Sequence, residues 1–188
     1  MDIQKIISLV TETQGLIKNR EMAAHVKEKG LADYVTQVDI SVQDFLKKEL
    51  FALAPDIQFL GEETGLQEIK ADSFWILDPV DGTTNLMHDY QHSVVSLALC
   101  RQGDIIMGII YDPFRDEVFS AIKRKGSFLN GQPIHVSNAE KLSDTMIGLG
   151  TAKREVADEN FARFRRVFGQ CQDVRRIGSA ALELAYTA

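Results

Sequence analysis

The first third of the chain has the hydrophobic spacing of helices. Between residues 3 and 17, apolar side chains recur at intervals that place them on one helical face: Ile3, Ile6, Ile7, Val10 and Ile17. A second helix is predicted to begin near Asp39 and to end before Pro55, because proline disrupts a helix interior. Between these helices, residues 27–30 are predicted to form a charged loop and residues 33–36 a short extended stretch.

The middle of the chain has the pattern of a β-sheet. Apolar runs are separated there by short segments that contain Gly, Pro or Asp, and the runs are 57–60, 74–77, 93–100, 105–111 and 117–122. Short connections favour antiparallel pairing of consecutive strands. A hairpin-like stretch around Gly126 and Gly131 follows, and residues 143–149 have the pattern of another strand.

Helical patterns return at residues 158–168 and 179–188. Helices packed on a mainly antiparallel sheet make an α+β layered sandwich, which is the fold class that we expect. A chain of 188 residues with 45% hydrophobic content is long enough for one good core. We therefore expect residues 1–188 to form a single domain.

Charge and composition exclude several classes of protein. The net charge of −6 argues against nucleic acid as a partner, because phosphate backbones attract basic surfaces. No segment approaches the roughly 18 apolar residues of a membrane span, and the N-terminus lacks a signal-peptide pattern. We expect a cytoplasmic protein with free thiols at Cys100 and Cys171. The four histidines are scattered, without the spacing of a zinc site.

The segment 75–85, WILDPVDGTTN, carries the strongest chemical signal. An apolar run stops there at two carboxylates, Asp78 and Asp81. Pro79 lies between them and is predicted to end strand pairing, because it has no N–H and a fixed φ. Gly82 allows close approach of the backbone to a ligand, and Thr83 is predicted to open a helix. Acidic oxygens beside a helix N-terminus suit a hard cation and a phosphate together.

Ordinary strand-to-helix turns use the same residue types, so this segment alone could be a turn. A second acidic cluster favours a functional interpretation. Glu62 and Glu63 directly follow the apolar run 57–60, and two strand ends that both deliver carboxylates are harder to explain by turn chemistry. Since adjacent strand residues face opposite ways, only one of these glutamates is expected to point into a shared site.

Together these motifs resemble the inositol monophosphatase family of Mg²⁺-dependent, lithium-sensitive phosphatases. The resemblance rests on GEE at 61–63 and WILDPVDGTTNL at 75–86, and it extends to DYVTQVD at 33–39 and RRIGSAA at 175–181. The segments span nearly all of the chain in family order. The resemblance implies the sugar-phosphatase fold, in which α and β layers alternate.

The resemblance also implies a metal site with two or three Mg²⁺ ions. Glu62 and the Val80 carbonyl would hold the first ion, Asp81 would bind the second, and Asp78 would bridge the two. Glu62, Val80 and Asp81 would also line the phosphate site, where the backbone N–H groups of Gly82 and Thr83 would meet phosphate oxygens.

Other roles follow from the same resemblance. Thr83 and Asp39 would orient and deprotonate the attacking water, although the local sequence alone would make Asp39 the N-cap of the second helix. Gly178, Ser179 and Ala180 resemble the family's contact with substrate hydroxyls. Lys29 would lie near a third metal site, and a solvated surface charge is the alternative for this residue.

The expected activity is hydrolysis of inositol monophosphate or a related sugar phosphate by a metal-activated water, in a homodimer. Two alternatives share the acidic motif or the fold: a 3′-phosphoadenosine-phosphate or NADP phosphatase, and a non-catalytic partner protein. The family's second signature, a Trp-Asp followed by small residues, does not occur after Gly178 in this chain. We therefore expect the domain to be incomplete at its C-terminus.

Overall fold

A computed structural model describes residues 2–30, 33–64, 71–150 and 157–188. The described helices are α1 (Ile3–Thr11), α2 (Gln14–Ile17), α3 (Arg20–Ala24), α4 (Gln37–Leu53), α5 (Thr83–Met87), α6 (Ala157–Phe168) and α7 (Ala180–Ala185). The described strands are β1 (Val26–Gly30), β2 (Asp33–Thr36), β3 (Gln58–Gly61), β4 (Ser73–Asp81), β5 (Val94–Arg101), β6 (Asp104–Asp112), β7 (Glu117–Ile122), β8 (Gly126–Leu129), β9 (Gln132–Pro133), β10 (Met146–Gly148) and β11 (Asp173–Arg175). Short 3₁₀ turns span Glu62–Thr64 and Leu142–Asp144.

The central feature is a seven-stranded sheet in the order β3-β4-β5-β6-β7-β8-β9. β3 runs parallel to β4, and each later neighbour pairs antiparallel, as the short connections predict. The turn between β5 and β6 illustrates the reason. Gln102 and Gly103 both have positive φ, at 52° and 80°, which matches the twist of a tight hairpin.

Helices pack on both faces of this sheet, with a large core on one face and a small cluster on the other. One face packs against the N-terminal helices in a large core whose buried members include Ile6, Val10, Val42, Leu46, Trp75, Leu97 and Ile109. On the second face, Leu182 and Ala185 of α7 pack with Val94 and Phe119 in a smaller cluster. The expected α+β layered sandwich is confirmed. Among the described helices, none is long and apolar enough to cross a membrane.

Several expected boundaries are wrong at the N-terminal end. Residues 27–30 are not a loop but belong to β1, which pairs with β2 in a hairpin. Every residue of β1 is exposed, so the strand has no apolar alternation that could reveal it. The first amphipathic stretch is divided into α1 and α2. By contrast, α4 spans Gln37–Leu53 and confirms the helix expected to begin near Asp39 and to end before Pro55.

The expectation that Pro79 ends strand pairing is also wrong. β4 continues to Asp81, which aligns with Val94 of β5 after a register irregularity between Asp78 and Asp81. An irregularity of this kind accommodates a residue that cannot donate to the ladder, and it changes the direction of the neighbouring side chains. The C-terminal helix is shorter than expected, since α7 spans Ala180–Ala185, and the strand expected at 143–149 is limited to β10.

Candidate active site

Two of the predicted metal ligands lie together because two parallel strands end at the same edge of the sheet. β3 and β4 are aligned with Gly61 opposite Leu77, so the residues that follow, Glu62 and Asp78, are neighbours. Burial, followed by the negative charges of Glu62 and Asp81, raises the pKa of Asp78 to about 8. The site therefore gathers carboxylates whose ionised forms a bound cation would stabilise.

The third predicted carboxylate, Asp81, is directed at the N-terminus of α7. Its Oδ2 accepts a hydrogen bond of 2.7 Å from the Ser179 hydroxyl and one of 2.6 Å from the Ala181 N–H. Ser179 is also the N-cap of α7, because its Oγ accepts from the Leu182 N–H at 3.3 Å. Asp81 thus connects the acidic motif to a helix that begins about a hundred residues later in the chain.

The donor set suits a hard cation, although its side chains are not gathered around one. Within the described ranges, no three His, Cys, Asp or Glu side chains converge closely enough to form a metal-binding cluster. Like charges repel one another, and Asp81 forms its hydrogen bonds with α7. Carboxylate and carbonyl oxygens are nevertheless the ligands that Mg²⁺ prefers, and Glu62, Asp78, Val80 and Asp81 could supply them.

Thr83 and Asp39 are in hydrogen-bond contact, as the predicted catalytic pair requires. Thr83 Oγ1 lies 3.0 Å from Asp39 Oδ1 and 3.0 Å from the Val80 carbonyl oxygen. Asp39 is only 2% exposed. Burial raises the pKa of Asp39, and the hydrogen bonds from Thr36 and Thr83 oppose this effect. A buried carboxylate is thereby joined to a hydroxyl at the edge of the acidic site.

Asp39 is not the N-cap of its helix, which corrects the interpretation from local sequence. Thr36 is the N-cap of α4, and Asp39 is the third residue of a capping box. The Asp39 Oδ2 atom accepts from the Thr36 N–H at 2.8 Å and also from the Thr36 hydroxyl. The capping interaction therefore occupies one carboxylate oxygen and presents the other to Thr83.

A glutamine on α4 supports the second acidic cluster and was not predicted. Gln43 is buried one helical turn after Asp39, and its Oε1 accepts from the Glu63 N–H at 3.0 Å. A Cβ at Gly61 would lie only 2.1 Å from this oxygen, so any larger residue there would displace the Gln43 amide from Glu63. The sequence did contain a signal for this role, since Gln43 is a polar residue four positions after Asp39 on an otherwise apolar helical face.

Lys29 lies against both glutamates. Its Nζ is 2.9 Å from Glu63 Oε1 and 3.4 Å from Glu62 Oε1, and the Lys29 side chain is 28% exposed. Lys29 thus forms ion pairs with both glutamates while it remains an exposed residue of β1, and its place near a third metal site stays a prediction. The lysine comes from β1, so the exposed hairpin brings a positive charge to the edge of the acidic site.

The remaining predicted residues form the turns around these groups. Gly82 is the N-cap of α5 with φ +97°, and Gly178 has φ +84°. Both are conformations that glycine adopts most readily. Ala180 is the first residue of α7, and the backbone donor to Asp81 is Ala181 rather than Ala180. α5 has only five residues, so any phosphate contact there would depend on individual N–H groups more than on a helix dipole.

Comparison with known proteins agrees with this arrangement. The model of the inositol monophosphatase family matches residues 3–188. An inositol-1-monophosphatase of Rhizobium meliloti is 40% identical over 168 residues, which are 87% of this chain and 62% of that protein. A Nus factor SuhB of Xylella fastidiosa is 38% identical over 172 residues, again covering 62% of its length. The chain therefore spans less than two thirds of the curated relatives that it matches.

Solved structures give the same result. The extragenic suppressor protein suhB of Bartonella henselae superposes with a TM-score of 0.91 at 33% identity, covering 99% of this chain and 73% of that one. An IMPase/NADP phosphatase in complex with Mg²⁺ and phosphate superposes with a TM-score of 0.83 at 26% identity, covering 96% and 69%. The resemblance found in the four sequence motifs is confirmed, and the chain belongs to the inositol monophosphatase family.

Proposed function

We propose that the full-length protein is a Mg²⁺-dependent phosphomonoesterase that hydrolyses inositol monophosphate or a related sugar phosphate. The observation that carries this proposal is the contact between Thr83 Oγ1 and Asp39 Oδ1 at 3.0 Å, beside the carboxylates of Glu62, Asp78 and Asp81. Its metal dependence is supported by the related structure that contains Mg²⁺ and phosphate. The metal ligands, the catalytic pair and the phosphate contacts remain predictions for this chain.

Phosphate monoesters hydrolyse very slowly, so catalysis must lower the barrier by more than ~20 kcal/mol. Bound Mg²⁺ would supply Lewis acidity, which makes water more acidic and neutralises charge on the phosphoryl group. The residues of the chain would place the reactants. Thr83 would accept a hydrogen bond from the attacking water and pass its own proton towards Asp39 Oδ1. The other oxygen of Asp39 is held by Thr36, so the orientation of the base is fixed before substrate binds.

The backbone of the turn after β4 would contact the phosphate. Gly82 permits this approach because it lacks a side chain, and the first N–H groups of α5 have no partner within that helix. The start of α7 lies next to Asp81, and its backbone would meet a hydroxyl of the substrate, whereas the Ser179 side chain is buried against Asp81. Together, these backbone donors and the start of α7 favour a small substrate that carries both phosphate and hydroxyl groups.

A substrate panel tests the proposal directly. We expect the full-length protein to release phosphate from inositol 1-phosphate with Mg²⁺ and to lose this activity in EDTA. The panel includes 3′-phosphoadenosine 5′-phosphate, NADP and fructose 1,6-bisphosphate, with released phosphate measured for each. No release from any of them by a folded, metal-binding sample would contradict the proposal and support a non-catalytic partner protein.

The two alternatives each have one observation in their favour. A related solved structure is an IMPase/NADP phosphatase, which favours NADP as the alternative substrate. A relative at 38% identity is named a Nus factor, which supports a partner-protein role. The acidic residues and the Thr83–Asp39 contact favour catalysis over a purely structural role.

We further expect Li⁺ to inhibit phosphate release at millimolar concentration by occupying the metal site that Asp81 helps to form. A monovalent cation there would supply less charge to the leaving oxygen than Mg²⁺ does. The measurement is the rate of phosphate release in LiCl, with equal KCl as the control for ionic strength. A rate in LiCl equal to that in KCl would place the protein outside the lithium-sensitive group.

The assembly and the location of the protein also remain proposals. We propose a cytoplasmic homodimer in which residues 1–188 belong to a single domain. Sedimentation of the full-length protein would measure the number of subunits.

A further inference from the structure

Asn85 connects two parts of the candidate site that are far apart in the chain. Its Nδ2 donates one hydrogen bond to the His92 carbonyl at 2.8 Å and one to the Ile177 carbonyl at 2.9 Å. An amide NH₂ has two hydrogens, so both are used. The first contact fixes the loop that follows α5, and the second fixes the segment that leads into α7.

Two glycines, Gly82 and Gly178, bring the backbone close to the Asn85 side chain. A Cβ at Gly178 would lie 3.2 Å from Asn85 Oδ1, and a Cβ at Gly82 would lie 3.3 Å from Asn85 Nδ2. Both glycines have positive φ. The acidic motif and the segment before α7 therefore approach each other closely, and the Asn85 amide fills the space between them.

The segment that Asn85 holds is the one that orients Asp81. Ile177 is followed within four residues by Ser179 and Ala181, and these supply both hydrogen bonds to Asp81 Oδ2. Glu183 of α7 accepts from the Ile177 N–H, which ties the same segment to its own helix. Asn85 thus adds a second side-chain connection, beside that of Asp81, between residues 177–185 and the segment 75–85.

We propose that Asn85 is a positioning residue that sets the affinity of the metal site. By holding the Ile177 carbonyl, Asn85 keeps Ser179 and the start of α7 against Asp81 Oδ2, which leaves Oδ1 as the oxygen for a metal ion. This inference rests on the proposed function, because Asp81 must be a metal ligand for the orientation to matter. Loss of an outer partner of a ligand typically lowers metal affinity by about 10- to 100-fold.

The positioning itself can be measured without metal. In the Asn85→Ala variant of the full-length protein, the Ile177 and His92 carbonyls lose their donor, and the segment should separate from the acidic motif. We expect the Ala181 N–H, which donates to Asp81, to exchange with deuterium at least about tenfold faster, because its hydrogen bond opens more often. The same amide with unchanged protection would overturn the inference.

The consequence for metal binding is tested by titration with Mn²⁺, followed by electron paramagnetic resonance. Asn85→Ala and Asn85→Asp should each weaken one class of Mn²⁺ site by about 10- to 100-fold. Asn85→Asp keeps the size of the side chain but sets an acceptor against two carbonyl oxygens. The matched control is Asn138→Asp, because Asn138 is exposed and makes no side-chain hydrogen bond with the described residues. It should bind Mn²⁺ as the wild type does.

A double-mutant cycle shows whether Asn85 acts through Ser179. Ser179→Ala removes one hydrogen bond to Asp81, and its effect on Mn²⁺ affinity should not add to that of Asn85→Ala. If the two losses of Mn²⁺ affinity added in the double variant, Asn85 would not act through Ser179. Unchanged Mn²⁺ binding in both Asn85 variants would overturn the inference and leave the proposed function intact. A wild-type protein that binds no Mn²⁺ or Mg²⁺ would overturn the proposed function, and this inference with it.

Discussion

Asp78→Asn is expected to abolish phosphate release from the full-length protein while leaving the fold intact. Asp78 is a half-buried residue of β4 next to Glu62, and in the proposed site its carboxylate would bind both metal ions. An amide of the same shape removes the negative charge that would hold both ions. The measurement is the rate of phosphate release from inositol 1-phosphate across a range of Mg²⁺ concentrations.

The metal-free stability of the Asp78→Asn variant separates catalysis from folding. Burial and the charges of Glu62 and Asp81 disfavour the ionised Asp78, so the neutral amide should not lower the melting temperature without metal. Asp56→Asn provides a control at an exposed position that forms no hydrogen bond or ion pair with the described residues, and it should retain wild-type activity. Substantial turnover by Asp78→Asn at any Mg²⁺ concentration would refute the two-metal assignment.

Thr83→Ala is expected to reduce the rate of phosphate release by about 10²- to 10⁴-fold, which is the usual contribution of a general acid or base. The substitution removes the hydroxyl that contacts Asp39 Oδ1 and the Val80 carbonyl, so the water would lose its path to the base. The substitution should lower kcat more than it raises KM, because the hydroxyl takes part in proton transfer from the attacking water during the chemical step. Steady-state kinetics with inositol 1-phosphate would measure both constants.

Two further variants test the role of the Thr83 hydroxyl. Thr83→Ser keeps the oxygen and should recover most of the rate. Thr84→Ala makes the same deletion one residue later, where the side chain is exposed and has no hydrogen bond among the described residues, and it should remain close to wild type. If Thr83→Ala works at the wild-type rate, Thr83 serves only to begin α5.

Helices and strands with a clear pattern of apolar residues in the sequence were predicted correctly, and those without such a pattern were missed. The strands β4 to β7 were predictable because they are apolar, and the short turns from β5 to β7 indicated their antiparallel pairing. The hairpin of β1 and β2 was not predictable from its first strand, since all of β1 is exposed. The continuation of β4 through Pro79 was missed for a different reason. The pairing with β5 resumes beyond the irregularity, and only the neighbouring strand provides the partner for Asp81.

Some features of the candidate site were likewise predictable from the local sequence, and others were not. The carboxylates of Glu62 and Asp78 were identified because each directly follows an apolar strand, and parallel pairing of β3 and β4 then brings them together. The catalytic pair was inferred from a family resemblance, whereas the local sequence pointed to a helix cap. In the structure Asp39 is the third residue of the capping box and not the N-cap, and its second oxygen contacts Thr83. The catalytic role of this pair stays a prediction.

The sequence by itself determined the α+β class, the family and the residue types of the acidic site, because these depend on hydrophobic period and on motifs that are continuous in the chain. Only the tertiary structure decided how the site is held. It turned Asp81 towards Ser179, placed Gln43 under the Glu62 turn and inserted Asn85 between the motif and α7. These contacts join residues 20 to 98 positions apart. Local propensities carry no information about such pairs, whose geometry is fixed by the packing of helices and strands around them.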